Sequence, residues 1–232
     1  MRPALLALAA SAGLASATLR SAPFESASPA AAEWRLDAAQ VRSVFYSESL
    51  CPDCVHFATG VWSKAYRTQG IGYGSTVGDG QGIVTFAQVS FGNAKITPDN
   101  KTITCQHGPT ECLYNTLEAC ADAHYPTNGA SVPFVVCLYA QAQSGLSPAK
   151  AERCATQNKL DWATLNTCWG GAEGKQLDID NAARTAALKP PHEYVPWVTL
   201  DAPGTFCTEA GCDDFIAQVC KAYTGMKPTA CN

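Results

Sequence analysis

Twelve cysteines are spread along this chain, but only Cys51-Pro52-Asp53-Cys54 has the Cys-x-x-Cys spacing, and the residue pattern changes across it. Ahead of it, Val41, Val44, Phe45 and Tyr46 with short polar interruptions suit a buried strand. Behind it, Val55, Ala58, Val61, Trp62, Ala65 and Tyr66 recur at three- and four-residue steps, the pattern of an amphipathic helix. Strand, Cys-x-x-Cys, helix is a redox arrangement. It puts Cys51 at a helix N-terminus, where unpaired N–H groups and the helix dipole favour the thiolate, the attacking species. Cys54, one turn on, is then the less exposed resolving thiol. The competing readings are two structural cysteines or half of a zinc site. Zinc calls for a second close pair, another Cys-x-x-Cys or a His-x-x-x-His, and the chain has neither, so no metal is assigned.

The other cysteines and the N-terminus set the compartment. Arg2, an Ala/Leu run to Leu14 and small residues at Ala15-Ser16-Ala17 read as a secretory signal peptide over residues 1–20, and residues 21–37, rich in Ala, Ser and Pro, as a flexible lead. In an exported chain, Cys105, Cys112, Cys120, Cys137, Cys154, Cys168, Cys207, Cys212, Cys220 and Cys231 imply five structural disulfides. Ten cysteines admit roughly 945 pairings, and the sequence selects none of them. These ten are expected to be more buried than Cys51, since a protein with a reactive thiol pair must keep its own bridges out of reach or at lower potential. Twenty acidic residues against 16 Lys+Arg, a net charge of −4 with no single-sign run, argue against a nucleic-acid partner. Past the leader the longest apolar run, Val132 to Ala140, is far short of the roughly 20 residues of a membrane span.

A second cluster runs Cys105-Gln106-His107-Gly108-Pro109-Thr110-Glu111-Cys112, with Asn115 and Cys120 beyond it. Gly108-Pro109 marks a turn, and Leu113, Leu117 and Ala121 share one face of the helix that follows. The Cys-Gln-His-Gly, Glu-Cys, Asn, Cys pattern is similar, without a gap, to the signature of the gamma-interferon-inducible lysosomal thiol reductase family. Pro190-Pro191-His192-Glu193-Tyr194-Val195-Pro196-Trp197 resembles that family's second hallmark, and Phe91-Gly92-Asn93-Ala94 its motif after the second strand. Ser90 departs from it, standing where the family often has Pro. The resemblance implies an α/β, thioredoxin-like fold with a cysteine-rich helical insertion at about 105–188, within a single domain over 38–232. It implies Cys51 and Cys54 as the catalytic pair, reducing disulfides in acidic endocytic compartments. It also implies that Pro196 is a cis-proline facing them, which leaves the Val195 backbone free to pair with an extended substrate. On the residues alone, Pro196 is an ordinary trans turn proline.

The remaining features are local. Gly70 to Gly82 is a glycine-rich connection without phosphate-loop spacing, Ile83 to Val89 reads as the second strand, and Tyr194 to Leu200 as a return to sheet. Ser147-Pro148 starts a helix, and a final helix spans about Asp213 to Tyr223 with Phe215, Ile216, Val219 and Tyr223 as its core stripe. Asn100-Lys101-Thr102 is a glycosylation sequon in a surface turn. His107, His124 and His192 read as structural and His56 as solvated, while Asp53 adds a negative charge that opposes a Cys51 thiolate. These readings describe a disulfide reductase of the secretory pathway, lysosomal, endosomal or extracellular. It acts on disulfide-bonded proteins, has no resident cofactor and is recycled by a small thiol. The alternatives are a disulfide oxidase or isomerase, or an inactive disulfide-rich binding protein. No oligomeric state is read from the sequence.

Overall fold

The computed structural model describes residues 38–73, 82–126, 129–201, 206–207 and 214–232. The leader and lead, most of the glycine-rich connection and Cys212 lie outside the described residues, as does the side chain of Cys207.

The chain enters on β1 (Val41–Ser47) and passes through Cys51 into α1 (Pro52–Phe57). That helix runs on through one widened π turn (Ala58–Trp62) into α2 (Ser63–Arg67). At the π turn the Thr59 hydroxyl donates to the Val55 carbonyl at 2.7 Å. β2 (Val84–Ser90) follows, then a small hairpin of β3 (Lys95–Ile96) and β4 (Ile103–Thr104). Five helices come next: α3 (Pro109–His124), α4 (Val132–Ala142), α5 (Pro148–Gln157), α6 (Trp162–Trp169) and α7 (Ala172–Ala186). The chain returns through β5 (Trp197–Leu200) and β6 (Phe206–Cys207) and ends in α8 (Phe215–Ala222) and a 3-10 turn (Thr229–Cys231).

The four-stranded sheet has the order β2-β1-β5-β6. β1 runs parallel to β2, with Val44 opposite Ala87, and antiparallel to β5, with Phe45 opposite Val198. Strand alternation sorts the apolar residues onto two faces. Val41, Phe45, Val84, Phe86, Val198 and Leu200 enter the main core, whereas Val44, Tyr46, Val89 and Trp197 form a smaller cluster with Leu188 on the other side. Phe45 centres the main core, its ring 5.0 Å from Phe57 and 5.2 Å from Trp62. Because helices cover both faces, β1 is buried at every position but Arg42.

Two sequence expectations are corrected here. Leu113 is 54% exposed and does not share a buried face with Leu117 and Ala121. From Tyr114 to Ala121 α3 is buried without interruption between neighbouring elements, and no single stripe describes a helix enclosed in that way. The return to sheet begins at Trp197 and not at Tyr194; the Val195 carbonyl, just ahead of the strand, lies beside Cys51. No helix among the described residues is long and apolar enough to cross a membrane.

Four disulfides are described: Cys105–Cys112, Cys120–Cys168, Cys137–Cys154 and Cys220–Cys231. Cys112, Cys137 and Cys231 are only half-buried, while Cys51 is 6% exposed, so the expectation that the bridging cysteines are more buried than Cys51 fails. Of these bridges only Cys120–Cys168 is buried at both ends; each of the other three has one cysteine at the surface, whereas Cys51 sits where β1 meets α1. Resistance to reduction at those sites has to come from their potential, not from cover.

Candidate active site

Cys51 and Cys54 are free thiols. Cys51 is the N-cap of α1: its backbone is extended, Pro52 takes the first helical position, and its Sγ accepts the Cys54 N–H at 3.4 Å. The Cys51 thiol lies below the ordinary thiol range, first because the Cys54 thiol donates to it and then because the N–H groups of Cys54 and Asp53 point at it. Burial and the charge of Glu48 work against this. Asp53 itself is exposed, so its nearest contribution is the favourable N–H, and the opposing carboxylate is Glu48. Burial pushes the Cys54 thiol well above its usual range, with the neighbouring Cys51 adding to the effect. One thiol is ready to ionise and the other is held protonated, the division a nucleophile and a resolving thiol require.

On the other side, the Cys51 Sγ lies 3.7 Å from the carbonyl of Val195, and the Val195–Pro196 peptide bond is cis. The loop before β5 therefore presents its backbone directly to the reactive sulfur.

The segment between β1 and Cys51 is held by the residues of the second cysteine cluster. The Asn115 side chain accepts the Ser49 N–H at 2.9 Å, and the Ser49 hydroxyl donates to the Glu111 carbonyl at 3.1 Å. Gln106 accepts from the Asn93 amide at 2.8 Å, and the Cys105–Cys112 disulfide closes the turn that carries Gln106 and His107. Glu48 is fully buried; its Oε1 accepts the Asn93 N–H at 2.6 Å, and burial together with the nearby Glu111 raises its carboxyl to about 7. His107 Nδ1 lies 2.5 Å from Glu111 Oε2 and 3.5 Å from Glu48 Oε2, so this histidine does have a structural partner. Gly92, at φ +54°, completes the enclosure: a Cβ there would collide with the Glu48 side chain at Cγ.

Beneath the pair, on the main-core face of the sheet, lies a buried polar group that sequence reasoning missed. Gln88 Nε2 lies 2.6 Å from Glu118 Oε2, to which the Ser90 hydroxyl donates at 2.7 Å and the Tyr139 hydroxyl at 3.4 Å. Burial holds the Glu118 carboxyl up at about 8. Ser90, the departure from the family pattern, thus serves this carboxyl. The chain offered no signal for Glu118, which stands in a helix without any motif spacing to mark it. His124 pairs with Glu173 at 3.1 Å, and Asn100 is exposed in the β3–β4 turn at φ +56°.

Known proteins resemble this chain over most of its length. The family model described as gamma interferon inducible lysosomal thiol reductase matches residues 43–158. A gamma-interferon-responsive lysosomal thiol protein of Arabidopsis thaliana is 35% identical, over 83% of this chain and 76% of the relative. A gamma-interferon-inducible lysosomal thiol reductase of Carassius auratus is 34% identical, over 85% and 74%. Among solved structures, oxidised BdbD of Bacillus subtilis aligns with a TM-score of 0.55 at 15% identity, covering 80% of this chain and 89% of the other. Chlamydia trachomatis DsbA aligns at 0.52 and 11%, covering 79% and 86%, and this likeness carries the thioredoxin-like fold alone. The chain belongs to the gamma-interferon-inducible lysosomal thiol reductase family and is a thiol-disulfide oxidoreductase of thioredoxin-like fold.

Proposed function

We propose that this protein reduces disulfide bonds of protein substrates through Cys51 and Cys54, in an acidic compartment of the endolysosomal route. The observation that carries the reading is the opposite bias of the two free thiols, with Cys51 pulled toward the thiolate and Cys54 kept protonated. The Cys51 thiolate attacks one sulfur of the substrate disulfide, and the departing substrate sulfur takes up a proton. Cys54 then loses its proton and attacks Cys51 Sγ, which releases the second substrate thiol and leaves a Cys51–Cys54 disulfide. Two equivalents of a small thiol return the enzyme to the dithiol and become a small disulfide; no bound cofactor takes part.

The backbone of Val195, beside Cys51 Sγ, is the proposed docking edge for an extended substrate segment, with Pro196 fixing the loop. Acidic working conditions fit a depressed Cys51, because an ordinary thiol there is almost wholly protonated. A secretory leader over 1–20 and a glycan on Asn100 belong to the same reading.

The test is reduction of denatured insulin at acidic and neutral pH with a small-thiol recycler. Wild type works at acidic pH, Cys51→Ser has no activity, and Cys54→Ser accumulates a mixed disulfide. Activity confined to neutral pH, or unchanged in Cys51→Ser, overturns the reading, as does preferential oxidation of a reduced peptide.

A further inference from the structure

We propose that Glu48, His107 and Glu111 form a binding site for a divalent cation of the zinc class, beside the redox pair but chemically distinct from it. One ligand atom from each, a carboxylate oxygen of Glu48 and of Glu111 and a ring nitrogen of His107, lie within 4.8 Å of one another. Both carboxylates are 0% exposed, so the two acids face each other out of water with one imidazole between them.

The oxygens are already sorted. Glu48 Oε1 accepts the Asn93 N–H and Glu111 Oε1 accepts the His107 N–H, at 2.6 and 3.0 Å. The first bond comes from outside the trio, as from the outer partner of a metal ligand, and the second from the His107 backbone; the second oxygen of each carboxylate is the one nearest His107 Nδ1. Nδ1 carries at most one proton, and its short contact is to Glu111. Glu48 Oε2, 3.5 Å from Nδ1, is left buried with no hydrogen-bond partner, an unfavourable arrangement unless something occupies it. A cation in place of the Nδ1 proton satisfies all three atoms together. Gly92 leaves room for the Glu48 carboxylate, which a side chain there would displace.

The donor set decides the class of ion. Two carboxylate oxygens and an imidazole nitrogen suit zinc or cobalt better than calcium or magnesium, which take oxygen ligands. Three protein ligands leave a fourth position, and the His107 side chain, 32% exposed, opens it to water. Opening the Nδ1 to Glu111 contact from 2.5 Å to the roughly 3.3 Å between ligands of a tetrahedral site at about 2.0–2.1 Å is a side-chain adjustment. Among the described residues the other candidate trio, His124, Cys168 and Glu173, lacks a free sulfur because Cys168 is bonded to Cys120.

The test uses the full chain as a Cys51→Ser/Cys54→Ser variant, so that no free thiol of the redox pair binds metal. Cobalt chloride is titrated at neutral pH and followed by visible absorption, and zinc chloride by calorimetry and by the thermal midpoint. The expected result is one cobalt per chain with no sulfur-to-metal charge-transfer band, displacement by zinc, and a midpoint that rises with zinc concentration. His107→Ala in the same background, its fold checked by circular dichroism, weakens binding by about 100-fold and abolishes the zinc-dependent rise. The absence of saturable binding below millimolar metal, or equal binding in the His107→Ala protein, overturns the site. Neither result bears on the insulin assay, so the redox reading stands or falls separately.

Discussion

Cys51 and Cys54 are three residues apart and are driven in opposite directions by one short stretch of backbone. The cap that turns N–H groups toward Cys51 also seats Cys54 inside the helix, under the main core. Alkylation with iodoacetamide followed by mass mapping should label Cys51 with a midpoint below that of an ordinary thiol and leave Cys54 unlabelled in the folded protein. Equal labelling of both would mean that the asymmetry does not exist in solution. Gly92 is the second residue whose chemistry is that of space. Gly92→Ala should lower stability by about 2 kcal/mol or more, since a methyl group there meets the Glu48 side chain and the backbone is left-handed. Urea unfolding measures it, and a loss under 0.5 kcal/mol would show that Glu48 moves freely.

At the scale of elements, α3 is the part of the insertion that reaches back to the site. Its Asn115 and the Glu111 carbonyl hold Ser49, and the turn before it holds Asn93, so the family pattern is a clamp on the approach to Cys51 and not a second reactive centre. Asn115→Ala removes the acceptor of the buried Ser49 N–H and should cost about 1–2 kcal/mol together with a fall in insulin reduction. The disulfides divide the work by loop length. Cys120–Cys168 ties α3 to α6 across 48 residues, and its removal as a double alanine variant should cost about 4 kcal/mol. Cys105–Cys112 spans only 7 residues; its removal should cost about 2 kcal/mol and affect activity more than stability, because it shapes the clamp. Denaturant midpoints set beside specific activity separate the two effects. The strand and the first helix were legible because their apolar periods survive in the chain. The π turn and the exposed Leu113 were not: the apolar period runs through the π turn unchanged, and the exposure of Leu113 depends on how many elements enclose α3.

The whole molecule carries its buried acids in a way that favours acidic conditions. Folding raises the carboxyl of Glu118 from 4.5 to about 8 and that of Asp178 from 3.8 to about 6, in both cases mainly by burial. Between those limits the folded protein holds protons that the unfolded chain has released. This contribution is therefore fully present below about pH 4 and is lost as the pH rises through 6 and 8. The thermal midpoint and the unfolding free energy should both fall from pH 5 to pH 8, and Glu118→Gln should reduce the fall in unfolding free energy by an amount on the order of 3 kcal/mol. A midpoint that rises over the same range would contradict the buried, protonated Glu118.

What the sequence determined by itself was local: a pair of thiols at the start of a helix, the strand before it, and a motif whose order of residue types survives without coordinates. Those features need only neighbours along the chain, and the hydrophobic period and cap position express them directly. Tertiary structure decided the surroundings. Asn93 reaches Glu48 across 45 residues and Asn115 reaches Ser49 across 66, and both Glu48 and Glu118 take their acidity from burial beneath distant elements. A carboxylate in a sequence carries no mark of the dielectric it will occupy, because desolvation is a property of everything packed around it and of nothing adjacent to it in the chain.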